Sequence, residues 1–193
     1  MEEDKDFKWC LKTGKGLRLV ESNENLVKVY LRKSKSALNM LDSAIEKDEL
    51  EWILDTSYFQ KLKLHTLVCS SFEKPKNKGL CKSTTLVVDG LCFFDYAKYF
   101  SIYALFMKIG IKCEIHNCTI SAFKKLFVEE KICSEEFHRD IEESRELRID
   151  ALYYEKDIGK EKIIESADRT PDFCLEIDKI KKTMGHRTLK GAV

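Results

Sequence analysis

Residues 96–127, YAKYFSIYALFMKIGIKCEIHNCTISAFKKLF, form the stretch that decides the fold. Up to Ile109 it is apolar on nearly every side, which predicts a buried, central helix. Gly110 then fits the C-terminal cap of that helix, because a positive φ angle costs glycine nothing. After the turn, amphipathic spacing predicts another helix over about residues 119–131.

Helical periodicity predicts three further long helices elsewhere in the chain. Ser22 or Asn23 can cap the first of them, because their side-chain oxygens accept free amide protons of the first turn. Pro171 lies in the middle of the last one, where we expect a kink or break near Thr170. The three helices are expected at about 23–47, 134–154 and 160–183.

One helix of the pattern is interrupted. DELEWILDTSY, residues 48–58, begins an amphipathic helix that would continue without a break at Tyr96. The intervening residues 59–95 therefore read as an insertion, and TTLVV followed by Asp89-Gly90 suggests a hairpin within it. The alternative is a kinked helix with irregular structure packed beside it. We expect a lead-in at 1–22, a helical bundle at 23–183 with the insert at 59–95, and a basic tail at 184–193.

Composition limits the classes of function. Of the 193 residues 35% are charged, yet the formal net charge is only +1. This balance lacks the basic surface of a general nucleic-acid coat protein, and we expect no DNA partner. The longest stretch of low charge, 83–97, is too short and polar to span a membrane. Eight scattered cysteines without a signal peptide predict reduced thiols and a cytoplasmic location.

Together these patterns predict an all-α, up-and-down bundle of four long helices and a shorter one, with the second helix interrupted. The ordered set of Tyr99-Phe100, Gly110-Ile111, His116 and Arg148-Ile149-Asp150-Ala151-Leu152-Tyr153 resembles the HEPN family (higher eukaryotes and prokaryotes nucleotide-binding). It is most similar to the small prokaryotic and archaeal members encoded beside a minimal nucleotidyltransferase. The resemblance covers residues 23–58 and 96–183.

This resemblance implies a homodimer in which Arg148 of each subunit lines a shared cleft. It also implies a toxin-type protein that acts on or binds RNA or a nucleotide, with a nucleotidyltransferase antitoxin as partner and no cofactor. In some such pairs the antitoxin is thought to adenylylate a tyrosine near the motif. Tyr153 and Tyr154 are the candidates for that modification.

Arg148 has two interpretations. Its spacing places it on the same helical face as Phe137, Ile141 and Leu152, where a guanidinium has to be paired or reached by solvent through a cleft. It could bind a phosphate, which suits its fork of donors and permanent charge. It could instead form an internal ion pair with Asp55, Asp95 or Glu146.

The catalytic members of the family are metal-independent endoribonucleases with an Arg-x4–6-His motif, and this chain has no histidine in that interval after Arg148. If the protein is an enzyme, His116 or Tyr154 has to replace the missing imidazole. A phenol is a poor base at neutral pH because its pKa lies near 10. His116 lies next to the 119–131 helix and could face the same groove as Arg148, or it could simply cap that helix.

Three alternatives remain open at the level of sequence. Cys113, His116 and Cys118 could bind zinc, although a fourth ligand is not evident and we expect no metal. The aromatic residues of 96–106 fit a core or dimer interface better than a base-stacking surface. Finally, the protein could be a non-catalytic HEPN module that binds nucleotide, RNA or protein, or a degenerate copy disrupted by its insert.

Overall fold

The computed structural model describes residues 3–46, 92–153 and 159–184. Within these ranges the chain is helical, with a single pair of short strands. The elements in chain order are α1 (Glu3–Lys12), β1 (Leu17–Leu19), α2 (Glu24–Glu46), α3 (Cys92–Ile109), β2 (Ile111–Cys113), α4 (His116–Phe123), α5 (Glu135–Tyr153) and α6 (Lys160–Thr183). A π-helical turn, Lys124–Val128, extends α4.

The all-α prediction is confirmed. Four of the described helices are long, namely α2, α3, α5 and α6, while α1 and α4 are shorter. The start of α2 is capped as expected, because the side-chain oxygen of Asn23 accepts hydrogen bonds from the amides of Asn25 and Leu26, at 3.1 and 3.0 Å. No helix in the described part of the chain is long and apolar enough to cross a lipid bilayer.

Helix α3 is the centre of the molecule, as its all-round apolar profile predicts. It packs against α2, α4, α5 and α6. Phe94, Tyr99 and Phe106 on this helix are almost fully buried. Phe106 stacks on Phe127, and Phe123 contacts Phe173 of α6, so aromatic rings join the central helix to its neighbours.

The lead-in contributes ordered structure to the core. Phe7 and Cys10 of α1 and Leu17 of β1 are buried in the main hydrophobic cluster. β1 pairs antiparallel with β2, with Leu17 opposite Cys113. Neither strand was predicted, because three-residue strands carry too little sequence pattern to be recognised.

Gly110 makes the turn between α3 and β2. Its φ angle is +79°, as the predicted cap requires. A Cβ atom at this position would lie 2.6 Å from the backbone oxygen of Val20. Glycine is therefore needed both for its backbone angle and for the close approach of the neighbouring chain.

The structure differs from the predicted boundaries in three places. Helix α3 begins at Cys92, so residues 92–95 of the predicted insert belong to its first turn. Helix α4 begins at His116 rather than near Thr119. Of the kink or break expected near Thr170, the break is absent, because α6 continues through Pro171. Residues 47–91 and 185–193, which hold the rest of the insert, the 48–58 helix and nearly all of the tail, lie outside the described residues.

The prediction of reduced thiols is wrong for one pair of cysteines. Cys10 of α1 and Cys118 of α4 form a disulfide across 108 residues of sequence. Both residues are almost fully buried. Cys113, Cys133 and Cys174 are free thiols. The pairing could not be read from spacing, because it depends on how α1 packs against α4.

Candidate functional site

Arg148 lies on α5 beside the first turn of α3, where it meets Asp95. The Arg148 Nε atom is 2.9 Å from Oδ2 of Asp95. Asp95 is completely buried, and 17% of the Arg148 side chain is exposed. Asp95 is thus one of the partners considered from the sequence, while Asp55, another of them, lies outside the described residues.

Burial dominates the chemistry of Asp95. It raises the pKa of this carboxyl from 3.8 to about 6, because the charged form loses its hydration. The positive charges of Arg148, Lys98 and Arg145 oppose that rise. The Asp95–Arg148 pair is therefore an ion pair whose acidic member can take up a proton just below neutral pH.

His116 is the first residue of α4, and its ring packs against Tyr99 of α3. The two ring centroids are 4.3 Å apart in an edge-to-face arrangement. The Tyr99 hydroxyl also donates a hydrogen bond to the His116 backbone oxygen, at 3.4 Å. The residue before the helix is Ile115, so His116 does not occupy the N-cap position that the capping interpretation requires.

The environment of His116 keeps its imidazole neutral at pH 7. Burial, and then the positive charges of Arg148 and Arg145, lower the pKa of His116 from 6.5 to about 4. The structure thus brings His116 within electrostatic range of Arg148, which is one of the two possibilities that the sequence left open. A neutral imidazole can accept a proton, as a general base must, but a pKa near 4 makes it a weaker base than an ordinary histidine.

Arg145 is a further residue of this site, and sequence reasoning did not single it out. It lies one helical turn before Arg148 on α5, and its charge acts on Asp95, Tyr99 and His116. Its Nε atom is buried and makes no hydrogen bond within the described residues. The spacing of three residues in RELR could have indicated a shared face with Arg148.

The tyrosine candidates cannot be placed with the others. Tyr153 is the last residue of α5, and its side chain lies outside the described part of the structure, as does all of Tyr154. Their predicted roles in catalysis and modification remain predictions.

A zinc site at Cys113, His116 and Cys118 does not fit the structure. Cys118 is bonded to Cys10, so it offers no thiolate. The Cys113 thiol donates a hydrogen bond to the Ile115 backbone oxygen. In the described ranges no group of three or more acidic, cysteine or histidine side chains could hold a metal ion.

The aromatic residues of α3 divide into two groups. Tyr99 and Phe106 are buried, as expected for core residues. Tyr96 is 38% exposed, and Phe100 is half-buried against Tyr30 of α2. The core interpretation holds for the buried members, and a dimer interface formed by the others stays a prediction.

A second polar cluster lies between α3, α5 and α6. The Lys98 ammonium, fully buried, is 2.8 Å from Oδ2 of Asp140 and donates a hydrogen bond to Ser144 Oγ, also at 2.8 Å. Burial lowers the pKa of Lys98, and the Asp140 carboxylate opposes that shift. Because its charged groups are paired with one another, this cluster holds the helices together rather than offering a reactive group.

Beside this cluster, α5 and α6 form an open groove of about 480 Å³. Its charged groups are mostly carboxylates, and Arg169 is paired with Asp140, Glu143 and Glu165. His138 of α5 is 3% exposed, and its Nδ1 atom lies 3.5 Å from Oε2 of Glu142.

No family model, curated protein or solved structure matches the chain. The function is therefore inferred from the site formed by Asp95, Tyr99, His116, Arg145 and Arg148, and from the resemblance of its motifs.

Proposed function

We propose that this protein is a HEPN-like protein that binds RNA and cleaves it at the site around Arg148 and His116. One observation carries the proposal: the ring of His116 is held against Tyr99 and lies within electrostatic range of both arginines of α5. His116 comes from α4 and the arginines from α5, so this imidazole can take the place of the one that is missing after Arg148.

The proposed reaction is cleavage by the ribose 2′-hydroxyl. His116 removes the 2′-hydroxyl proton, and the 2′-oxygen attacks the adjacent phosphorus. The bond from phosphorus to the 5′-oxygen breaks, and that oxygen takes a proton from water. The guanidinium groups stabilise the charge on the phosphoryl oxygens. The products are a 2′,3′-cyclic phosphate and a 5′-hydroxyl, and no step of this reaction requires a metal ion.

The resemblance adds two further proposals. The protein acts as a homodimer with Arg148 of each subunit in a shared cleft. A nucleotidyltransferase antitoxin is its partner and modifies Tyr153 or Tyr154. The cytoplasmic location expected from the sequence also stays a proposal.

The test is RNA cleavage by purified protein in EDTA, with wild type compared with His116→Gln and Arg148→Gln. Arg139→Gln is the matched control, because Arg139 is an exposed arginine on the same helix. We expect His116→Gln to lower the rate by about 100-fold or more, as for loss of a general base, while Arg139→Gln cuts normally. Equal rates for wild type and His116→Gln would contradict the assigned role of His116.

The second candidate is a non-catalytic module that binds RNA or nucleotide. The Asp95–Arg148 ion pair favours it, since a guanidinium already paired with a carboxylate has less charge to offer a phosphate. Folded wild-type protein that binds single-stranded RNA without cutting it would establish this candidate and exclude the nuclease.

A further inference from the structure

We propose that Arg145 is the residue that binds a phosphate at this site, and that Arg148 is a positioning residue held by Asp95. The inference deepens the proposed function, on whose site it rests, by naming the ligand class and the guanidinium that receives it. The ligand is a tetrahedral phosphate group, from either an RNA backbone or a free nucleotide.

The side chains around Arg145 and Arg148 carry an excess of positive charge. Asp95, Tyr99 and His116 each lie within electrostatic range of both Arg145 and Arg148. Asp95 is the one carboxylate that acts on this group of side chains in the described part of the chain. Even when Asp95 is ionised, it balances one of two guanidinium charges. Among the described residues, this group of side chains therefore carries more positive than negative charge, which an anion can neutralise.

Three arginines on neighbouring helices differ in the carboxylates with which they pair. Arg169 is paired with three carboxylates, at Asp140, Glu143 and Glu165. Arg148 is paired with Asp95. Arg145 forms no ion pair with any described residue, and its Nε atom, like those of Arg148 and Arg169, is buried without a hydrogen bond. An oxyanion bound to its terminal nitrogens would supply the charged partner that the other two arginines already have.

The helices also bring the two arginines and His116 close to one another. Arg145 and Arg148 are one turn apart on α5, so both reach the same side of that helix. Asp95 fixes Arg148 at 2.9 Å and so holds it in place next to Arg145. The ring of His116, fixed against Tyr99, completes the site. A phosphate bound to Arg145 would then lie near a neutral imidazole, which is where the proposed cleavage needs it.

The proposal is tested by NMR, following the His116 ring signals while inorganic phosphate, adenosine monophosphate or a short single-stranded oligoribonucleotide is added. Arg145→Gln removes the guanidinium that is proposed to bind the phosphate. Asp95→Asn combined with Arg148→Gln removes the ion pair without leaving an unpaired charge. Arg139→Gln is the control for the loss of one positive charge on α5.

Wild type is expected to bind phosphate saturably, and Arg145→Gln to weaken that binding about tenfold or more, as for a lost charge-assisted hydrogen bond. Arg139→Gln is expected to bind within about threefold of wild type, because Arg139 lies outside the site. The double variant is expected to lose less binding than Arg145→Gln, because it keeps the guanidinium that receives the phosphate. Retained binding in Arg145→Gln, an equal loss in the double variant, or no saturable binding by wild type would overturn the proposal. The probe that binds most tightly through Arg145 identifies the source of the phosphate.

The outcomes separate this inference from the proposed function. If phosphate binding depends on Arg145 but no RNA is cut, the phosphate site stands and the nuclease fails. If Arg145→Gln cuts RNA at the wild-type rate, the nuclease stands and the phosphate site at Arg145 fails.

Discussion

The carboxylate of Asp95 and the guanidinium of Arg148 form an ion pair between α3 and α5, with 2.9 Å between Oδ2 and Nε. Asp95 has no exposed surface, so its charge depends on the arginines around it. This pair links the central helix to the helix that carries both site arginines.

Breaking the pair from one side should be costly. We expect Arg148→Gln to lower the free energy of unfolding by roughly 3–5 kcal/mol, because it leaves Asp95 buried without its partner. Asp95→Asn together with Arg148→Gln should lose less than Arg148→Gln alone. Urea unfolding of both single variants and the double variant measures the coupling. A double variant whose loss equals the sum of the single losses would show that the two residues do not interact.

The pKa of His116 should be well below its usual value and should depend on both arginines. We expect an NMR titration of wild type to give a His116 pKa near 4. Arg145→Gln and Arg148→Gln should each raise it, because each removes a positive charge that disfavours the imidazolium. Arg139→Gln should leave it unchanged. A wild-type value at or above 6.5 would mean that the ring is neither buried nor close to these charges.

Asp95 and His116 should make opposite contributions to stability as pH changes. The pKa of Asp95 is raised from 3.8 to about 6, so its contribution is present below 3.8 and lost as pH rises through about 6. The pKa of His116 is lowered from 6.5 to about 4, so its contribution is present above 6.5 and lost as pH falls through about 4.

Unfolding in urea across this pH range separates the two contributions. On acidification from neutral pH, His116→Gln should lose less stability than wild type, because it lacks a group that resists protonation in the folded state. Asp95→Asn should lose more, because it lacks a group that favours protonation there. Parallel curves for wild type and both variants would contradict both assignments.

The disulfide between Cys10 and Cys118 should stabilise the fold by constraining the unfolded chain. Because it closes a loop of 108 residues, its reduction should lower the free energy of unfolding by roughly 2–5 kcal/mol. Urea unfolding with and without reductant measures this, and a thiol assay confirms that the bond is open. Cys10→Ser with Cys118→Ser is the control, since its stability should not respond to reductant.

Gly110→Ala should destabilise the turn between α3 and β2. The φ angle of +79° alone costs a residue with a Cβ atom about 1–2 kcal/mol, and the approach to the Val20 oxygen adds to it. Gly14→Ala is the matched control, because a Cβ atom there meets no atom within 4 Å. Thermal or urea unfolding compares them. Equal stabilities of the two variants would show that neither the angle nor the contact matters.

Much of the helical framework could be predicted because its signals are local. The apolar profile up to Ile109 predicted the buried central helix, and Asn23 predicted the start of α2. Of the kink or break expected near Pro171, the break did not occur: α6 is continuous there, and Thr170 and Phe173 beside the proline are buried in the core. The start of α3 at Cys92 was not predicted, because the sequence pattern joined residues 48–58 directly to Tyr96 and assigned residues 59–95 to an insert.

The site was only partly accessible from the sequence. Arg148 and His116 were singled out, and Asp95 was named as one of three potential partners. Arg145 was missed because the sequence of a charged helix does not show whether an arginine will have a carboxylate partner in the folded protein. Whether a guanidinium is paired depends on the helices packed against it, as the contrast between Arg145 and Arg169 shows.

The sequence by itself determined where the main helices lie, that α3 is central, and that glycine is required at position 110, because periodicity, capping and backbone angles act within a few residues. Only the tertiary structure decided that Asp95 meets Arg148, that Cys10 bonds Cys118, and that His116 lies in the field of two arginines. These contacts join residues distant in sequence, and burial in the packed core sets both their geometry and their protonation.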